Sequence, residues 1–534
     1  MNNRVSYNLT NMLVLVWISV VIFSPMLSSF FIQKAYPIAP YPCITYEPST
    51  RVIKITCQSA NLTNVYKQLH NKDILNIQPS TNDSNNGKKS IWLLNASLFI
   101  AKGSTFFINS TDTSWVKIIS PNRVIDNSSI TNSNVTTTPY RIDVYGSLKV
   151  NLVKITSWNP ENNNYAVTNG TVTNPGIARP FIKIEHSATG TGDISNSEIA
   201  YLGSEGDKSD GLYYAGGDGS VIRNNNIHHN WFAIYFNGVS DILLENNFVH
   251  DSYFYGIDPH TAVHNMTIRN NTVYNNGAQG IICSLDCYDI AIEGNNVHNN
   301  VGSGIMFSRN MSNSVARGNN IFNETIGILV SQSHNNQVYN NVISESKTGI
   351  YLRNTSSDNI VNNNTIFNPK LYGLYVSTNA SNNIFSSNTV HNPSFFGIYV
   401  RNSSTINNLF KDNNLVNPIS YGIGLSNNKA TRFINNTIIA ESGPGNDRES
   451  THFQNSKKYD YIIEKNSLLN LQKTIFSNDQ IAPEDLTNNS VTIFNSGEIN
   501  ITDSRIDKAT TFNTNFSPFI HTFTTSANIT ADTL

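Results

Sequence analysis

The middle of the chain repeats a short alternation in which every second position of a brief run is aliphatic, a polar turn follows, and the run begins again. Glycine followed by an aliphatic residue marks the period: Gly256-Ile257, Gly280-Ile281, Gly304-Ile305, Gly327-Ile328, Gly349-Ile350, Gly373-Leu374, Gly397-Ile398 and Gly422-Ile423, spaced by 22 to 25 residues. Seven positions before most of these glycines stands an aliphatic residue (Val249, Val273, Val297, Val342, Ile366, Val390 and Leu415). Two positions before each of those stands an asparagine: Asn247, Asn271, Asn295, Asn340, Asn364, Asn388 and Asn413. The Gly327 unit is one residue shorter and keeps Asn319 and Ile321.

Runs this short exclude helices of ordinary length, so each unit holds two or three strands separated by polar turns. Such units stack as a parallel β-helix, with equivalent positions of successive coils about 4.8 Å apart. The general preference for right-handed crossovers makes it right-handed. Aliphatic residues then pile up inside, and asparagines form an amide ladder expected to contain Asn271, Asn295, Asn340 and Asn364. Glycine is expected to supply special backbone geometry at the entry to the next strand. Leucine-rich repeats have units of similar length, but their dense leucine spacing and helical segment are missing. The pattern runs back through Ile227 and Ile199 to about Trp92 and fades after Ile438. The expected organisation is a leader or anchor over 1–36, an N-terminal cap over 37–88, the β-helix over 89–440 and a C-terminal cap or flank over 441–534.

Charge changes the picture by exclusion. With 13% charged residues and a net charge of -2, the chain offers no basic surface to a phosphate backbone, and nucleic acid is excluded as a partner. Arg4, an uncharged and mostly apolar stretch from Asn11 to Ile32, Lys34, and a small residue at Ala35 before Tyr36 and Pro37 fit an export signal. The stretch is also long enough to cross a bilayer, so a cleaved signal and a retained anchor both fit, and either places the remainder outside the cytoplasm. Cys43 and Cys57 suit a disulfide in that compartment. Cys283 and Cys287 read as a second disulfide or as free buried thiols, since C-x3-C without further ligands is a weak metal motif. Sequons such as Asn61, Asn95, Asn169, Asn265, Asn310, Asn354, Asn379, Asn402 and Asn528 permit glycosylation. A monomer without cofactor is expected.

One coil breaks the outward pattern. Side chains alternate along a strand, which sends Ile257 and Pro259 inward and Asp258 and His260 to an exposed face. The equivalents of Asp258 are Ile282, Met306, Leu329, Tyr351, Tyr375 and Tyr399; those of His260 are Ser284, Ser308, Ser331, Arg353, Ser377 and Arg401. On the preceding coil the corresponding positions are Tyr235 and Asn237. One coil earlier Asp210-Gly211-Leu212-Tyr213 follows a loop containing Glu205, Asp207 and Lys208. Arg309, two coils after His260, projects near the same edge, about 10 Å along the axis. Acid, base, phenol and cation thus share a strip.

At these residues the sequence resembles the AlgG-like mannuronan C5-epimerases, periplasmic alginate-modifying β-helix enzymes. The resemblance is carried by Tyr255-Gly-Ile-Asp-Pro-His260-Thr-Ala-Val-His264, similar to that family's YG-x-DPHD segment with its following histidine, and by Asn271-Thr-Val-Tyr with Gly280-Ile-Ile-Cys-Ser284. Trp92-Leu-Leu-Asn-Ala96, Thr156-Ser-Trp158, Arg179-Pro-Phe-Ile182 and Ser197-Glu-Ile-Ala-Tyr-Leu-Gly203 look like further landmarks in the same order, so the resemblance spans about residues 90 to 320. Two positions depart from it. Thr261 stands in place of the motif's second aspartate, and Leu285 falls where the family's carboxylate-neutralising arginine is expected.

The resemblance implies a polyuronide substrate and a base at His260. Removing the C5 proton builds charge on the adjacent carboxylate, which needs a cation, a base on one face of the sugar and an acid on the other. Asp258 is expected to orient or tune His260, Arg309 to substitute for the missing arginine, and Tyr235 or a water to return the proton. Tyr213, Asn237, Lys208, His264 and Ser284 are the expected substrate contacts. A lyase that expels the 4-linked oxygen would share these residues. A non-catalytic carbohydrate-binding solenoid, with Tyr351, Tyr375 and Tyr399 as a sugar platform, is the alternative from another class.

Overall fold

The computed structural model describes residues 42–78, 89–120, 139–167, 178–205, 209–402, 404–428 and 430–439, followed by the backbone of a series of strands up to Thr533. The proposed leader over 1–36 lies outside the described residues. The solenoid lies within the compact unit formed by residues 43–534.

Its architecture is the right-handed parallel β-helix expected from the repeat. Each coil contributes one strand to each of three sheets, of 19, 16 and 15 strands. In one coil these are Ile257–His260, His264–Arg269 and Thr272–Tyr274; in the next, Ile281–Ser284, Tyr288–Glu293 and Asn296–His298. Ile257 pairs with Ile281, Ile281 with Ile305, and Ile305 with Ile328, so the aliphatic positions superimpose coil on coil. The interior columns are fully buried from Ile53 through Ile257 to Phe433, and Phe385, Phe410 and Phe433 stack with centroids 4.5 and 5.1 Å apart. Removing each such side chain from water contributes roughly 1.5 to 3 kcal/mol, which is what offsets ordering so many short strands.

Asparagine is abundant because many coils use it twice. The first of an Asn-Asn pair takes a left-handed turn, as in Asn246, Asn270, Asn340, Asn363 and Asn435, with φ between 51° and 56°. The second turns inward and joins a continuous ladder. Asn271 donates its Nδ2 to Oδ1 of Asn295 at 3.0 Å and its backbone N–H to the same oxygen at 2.9 Å. The same bond recurs from Asn225 through Asn319, Asn341, Asn364 and Asn388 to Asn436. The expected member Asn340 is therefore corrected to Asn341. Val342 is correspondingly an exposed residue and Ile343 the core one. Asn340 accepts from Nδ2 of Asn363 on the surface, at 2.7 Å. A second inward ladder runs from Asn276 through Asn300 to Glu324.

The repeated glycines serve a different purpose from the one expected. From Gly256 to Gly397 their φ lies outside the left-handed region. A Cβ on Gly280 would stand 2.9 Å from the carbonyl of Gly304 and 2.7 Å from Val297, and the same holds along the column. Close approach of neighbouring coils, and not turn geometry, is what excludes a side chain there.

At the N-terminal end, strand Ile44–Glu47 runs antiparallel to Val52–Ile55, and a Cys43–Cys57 disulfide ties the hairpin. Helix Leu62–Leu69, capped by Asn61, buries Leu62 and Val65 in the shared core and covers the end of the first coil. Parallel pairing already begins at Val52–Ile55, which lies on Ser97–Ile100. Beyond residue 440, strands Tyr459–Ile463, Val491–Asn495, Thr510–Thr514 and Ile529–Thr533 extend the first sheet in parallel.

Candidate active site on the first sheet

The outer face of the first sheet carries one column, rung by rung: Lys54, Phe99, Asp143, Lys183, Tyr213, Tyr235 and Asp258, continued by Ile282, Met306 and Leu329. Beside it Asn237, His260 and Ser284 form a second. Tyr213, Tyr235, Asn237, Asp258, His260 and Ser284 are therefore brought together as the spacing predicted.

Pro259 sits at the centre of this arrangement. It has no N–H to give to the next coil, and regular pairing with Ile281–Ser284 holds only at Ile257 and His260. A proline in the middle of a sheet marks a local departure from the ladder, and it falls between the two outward polar residues. Beneath it, the buried Cys287 thiol lies 3.2 Å from the carbonyl of Ser284 and 3.7 Å from that of Pro259. Cys283 and Cys287 are free, and burial raises both thiol pKa values, that of Cys287 to about 12.

His260 is held from both sides. Its Nδ1 lies 2.6 Å from the Thr261 hydroxyl, and its Nε2 lies 3.3 Å from Nη2 of Arg309, which also donates to Oγ of Ser284 at 2.8 Å. A guanidinium has no lone pair, so Nε2 must be the acceptor and His260 is neutral, with its proton on Nδ1 toward Thr261. Burial lowers the pKa of His260, and the Arg309 charge lowers it further. Arg309 is two coils away in sequence yet reaches back over Ser284. It occupies the turn column of Thr261 and Leu285: the Thr261 N–H bonds the Ser284 carbonyl, that of Leu285 the Ser308 carbonyl, and that of Arg309 the Ser331 carbonyl, each with φ between 50° and 69°. An arginine missing at Leu285 is thus present one coil further on, in the same column.

Asp258 differs from expectation. It lies on the outward side of its strand, but it is 1% exposed and is covered, and its Oδ1 is buried with no hydrogen-bond partner. Burial pushes its pKa well above the ordinary carboxylate range, Asp210 adds to this, and Arg309 opposes it. Its neighbour Tyr235 stacks obliquely on His260 at 5.6 Å and on Tyr213 at 5.1 Å. Burial, then Asp258, raises the pKa of the Tyr235 phenol, so it is a proton carrier and not a phenolate.

One expected contact falls elsewhere. His264 is on the second sheet, stacked on Tyr288 at 4.7 Å with Nδ1 3.1 Å from the Ala262 carbonyl, because the turn at Thr261–Val263 carries the chain round the corner. Lys208 lies outside the described residues. Tyr351 and Tyr375 stack face on face at 4.3 Å, so each ring covers its neighbour and presents an edge, not a face, to a sugar. Sequence reasoning left out Tyr255, which flanks Asp258 electrostatically, and Lys183, one rung above Tyr213 with Nζ 5.7 Å from its ring centre. Counting back one coil at a time from Asp258 would have found Lys183. Among the described residues, no group of three or more His, Cys, Asp or Glu side chains converges to hold a metal ion.

Two protein families match parts of this chain: "Right handed beta helix region" over residues 282–438, and "Periplasmic copper-binding protein (NosD)" over residues 155–347. Among solved structures, the chain is similar to the periplasmic alginate epimerase AlgG, with 18% identity over 72% of this chain and 85% of that one and a TM-score of 0.53. A point mutant of the same enzyme aligns with a TM-score of 0.54 at the same identity and coverage. No curated protein sequence matches. The protein is a right-handed parallel β-helix, and its fold is similar to that of the mannuronan-epimerase solenoids.

Proposed function

We propose that the protein is an exported enzyme that acts on an acidic polysaccharide, abstracting the C5 proton of a uronate residue and returning it to the opposite face. The observation that carries this reading is the Arg309–His260 contact. A neutral imidazole with an accepting Nε2 lies beside a guanidinium, on the outer face of a solenoid. The substrate class follows the likeness to the AlgG fold.

A substrate carboxylate competes with Nε2 for Arg309. Binding it turns the guanidinium toward the carboxylate, uncovers the imidazole lone pair next to C5, and supplies the cation needed as enolate charge develops. Ser284, which accepts from Nη2 of Arg309 at 2.8 Å, holds the guanidinium over the site. Burial disfavours the charged form of Asp258, which lessens repulsion of the substrate, and Tyr235, whose phenol pKa is raised, is assigned the return of the proton to the sugar. Export is supported by the N-terminal pattern and by the Cys43–Cys57 disulfide.

The test is incubation with polymannuronate in D2O followed by proton NMR. Deuterium at C5 with new guluronate signals is the expected result. Unsaturated ends would make the protein a lyase on the same base, and binding without exchange would make it a carbohydrate-binding solenoid.

A further inference from the structure

A cavity of about 950 Å³ opens on the same face near the N-terminal end. Its floor is the start of the column that leads to Asp258, with Lys54 and Phe99 as the first two rungs. Tyr46, on the antiparallel hairpin strand Ile44–Glu47, forms one wall, which the Cys43–Cys57 disulfide braces; Tyr140 and Arg141 form the other. Six rungs separate Lys54 from Asp258, or about 29 Å at the spacing of paired strands. A 4-linked pyranose is about as long as one rung, so the span matches about six sugars laid along the axis.

The lining is cationic and aromatic. Lys54 is exposed, makes no ion pair among the described residues and lies 5.8 Å from the centre of the Phe99 ring. Arg51 lies 5.8 Å from the centre of Tyr140, with Nη2 donating to the Asn95 carbonyl at 2.9 Å, and its Nε is buried with no hydrogen-bond partner. Arg141 is already engaged by Asp143, at 2.6 Å. The one acidic side chain in the lining, Glu47, is occupied by the hydroxyl of Ser49 at 2.8 Å. An occupant therefore meets two cations that have no carboxylate of their own, beside two aromatic rings. That combination fits a sugar ring bearing a carboxylate.

We propose that this cavity is a remote subsite for an anionic polysaccharide, holding a uronate residue of the same chain whose reacting residue lies at His260. The inference rests on the proposed function for the second half of that statement only. Occupying both ends makes the second contact intramolecular, so long polymers gain affinity that short oligomers lack.

The experiment compares polymannuronate trimers with long polymannuronate on the full chain, using Lys54→Glu and Tyr46→Ala. Lys54 is exposed and tolerates replacement, and a thermal melt on each variant checks the fold. In C5 exchange, Lys54→Glu is expected to raise KM for the long polymer about tenfold relative to that for trimers, because it replaces attraction by repulsion. An unchanged ratio of the two KM values in both variants overturns the subsite. If the parent shows no exchange at all, the proposed function fails and the subsite is read by titration calorimetry with long polymannuronate. Weaker binding by Lys54→Glu then supports it, and unchanged binding overturns it.

Discussion

Nη2 of Arg309 stands 3.3 Å from Nε2 of His260, although the two are 49 positions apart in the chain. In a solenoid that separation is two rungs, and a long side chain spans it. The contact fixes the tautomer of the imidazole and its charge. It also makes the proposed base and the proposed carboxylate receptor a single unit, with consequences for any substitution of either.

His260→Gln is expected to lower C5 exchange by about 10²- to 10⁴-fold, the usual contribution of a general base, with an unchanged melting temperature because the side chain contributes little to the core. Exchange at the parental rate would place the base elsewhere.

Arg309→Ala removes the charge that holds the His260 pKa down, so the imidazole pKa should rise. A neutral base is needed, and the acidic limb of the pH profile of kcat/KM should therefore move to higher pH while its plateau falls. A histidine NMR titration and a pH series read the two effects separately; a limb that stays in place would contradict the contact.

Thr261→Asp places a carboxylate against Nδ1 of His260, where a neutral hydroxyl now accepts. The opposite charge favours imidazolium, so the acidic limb moves upward here as well, but with the Arg309 contact to substrate intact. KM for polymannuronate should change much less than in Arg309→Ala.

Glu324 sits in the second inward ladder, with Oε1 accepting from Nδ2 of Asn300 at 2.8 Å and Oε2 buried without a partner. Burial pushes its pKa up to about 8. A folded-state value above the unfolded one contributes stability that is complete below the ordinary pKa of 4.5 and is lost as pH rises through about 8. The change is on the order of 5 kcal/mol once ionisation is complete. Melting curves should show the parent losing stability between about pH 4.5 and 8 and Glu324→Gln losing much less; parallel curves would refute the assignment.

The ladder makes a contrast of its own. Asn295→Ala deletes an acceptor used by the N–H and the Nδ2 of Asn271 and a donor to the Ile268 carbonyl, and should cost about 3 kcal/mol or more in urea unfolding. Asn340→Ala, on the surface, should cost only about 1 kcal/mol, set by the left-handed backbone that an alanine would have to hold there.

The same pair shows where sequence reading reached its limit. Period, sheet face and the register from Ile282 to Tyr399 were all legible, because hydrophobic burial repeats them coil after coil. The choice between Asn340 and Asn341 was not. Both neighbours are asparagine, and counting seven back from Gly349 lands on the wrong one in a coil with a shorter corner. Grouping Tyr213, Tyr235, Asp258, His260 and Arg309 needed only coil arithmetic. The cover over Asp258 and the turn that carries His264 to another sheet depend on how side chains lie across coils, and alternation along one strand does not encode that. The remote cavity was invisible for a similar reason: its wall is an antiparallel hairpin outside the repeat.

Each amide in the asparagine ladder bonds no further than the coil before, its own coil and the coil after. Excising residues 341–363 would set Asn364 directly on Asn319 and close the seam without disturbing either neighbour. Extent beyond the site is therefore a free quantity, adjustable in whole coils, whereas a single inserted residue disrupts the phase of everything it touches. The coils between Lys54 and Asp258 are not free in this sense. They act as a ruler with one tick per rung, and losing one would bring the two ends of the groove closer by about 4.8 Å and shift the polymer length they accept by about one sugar.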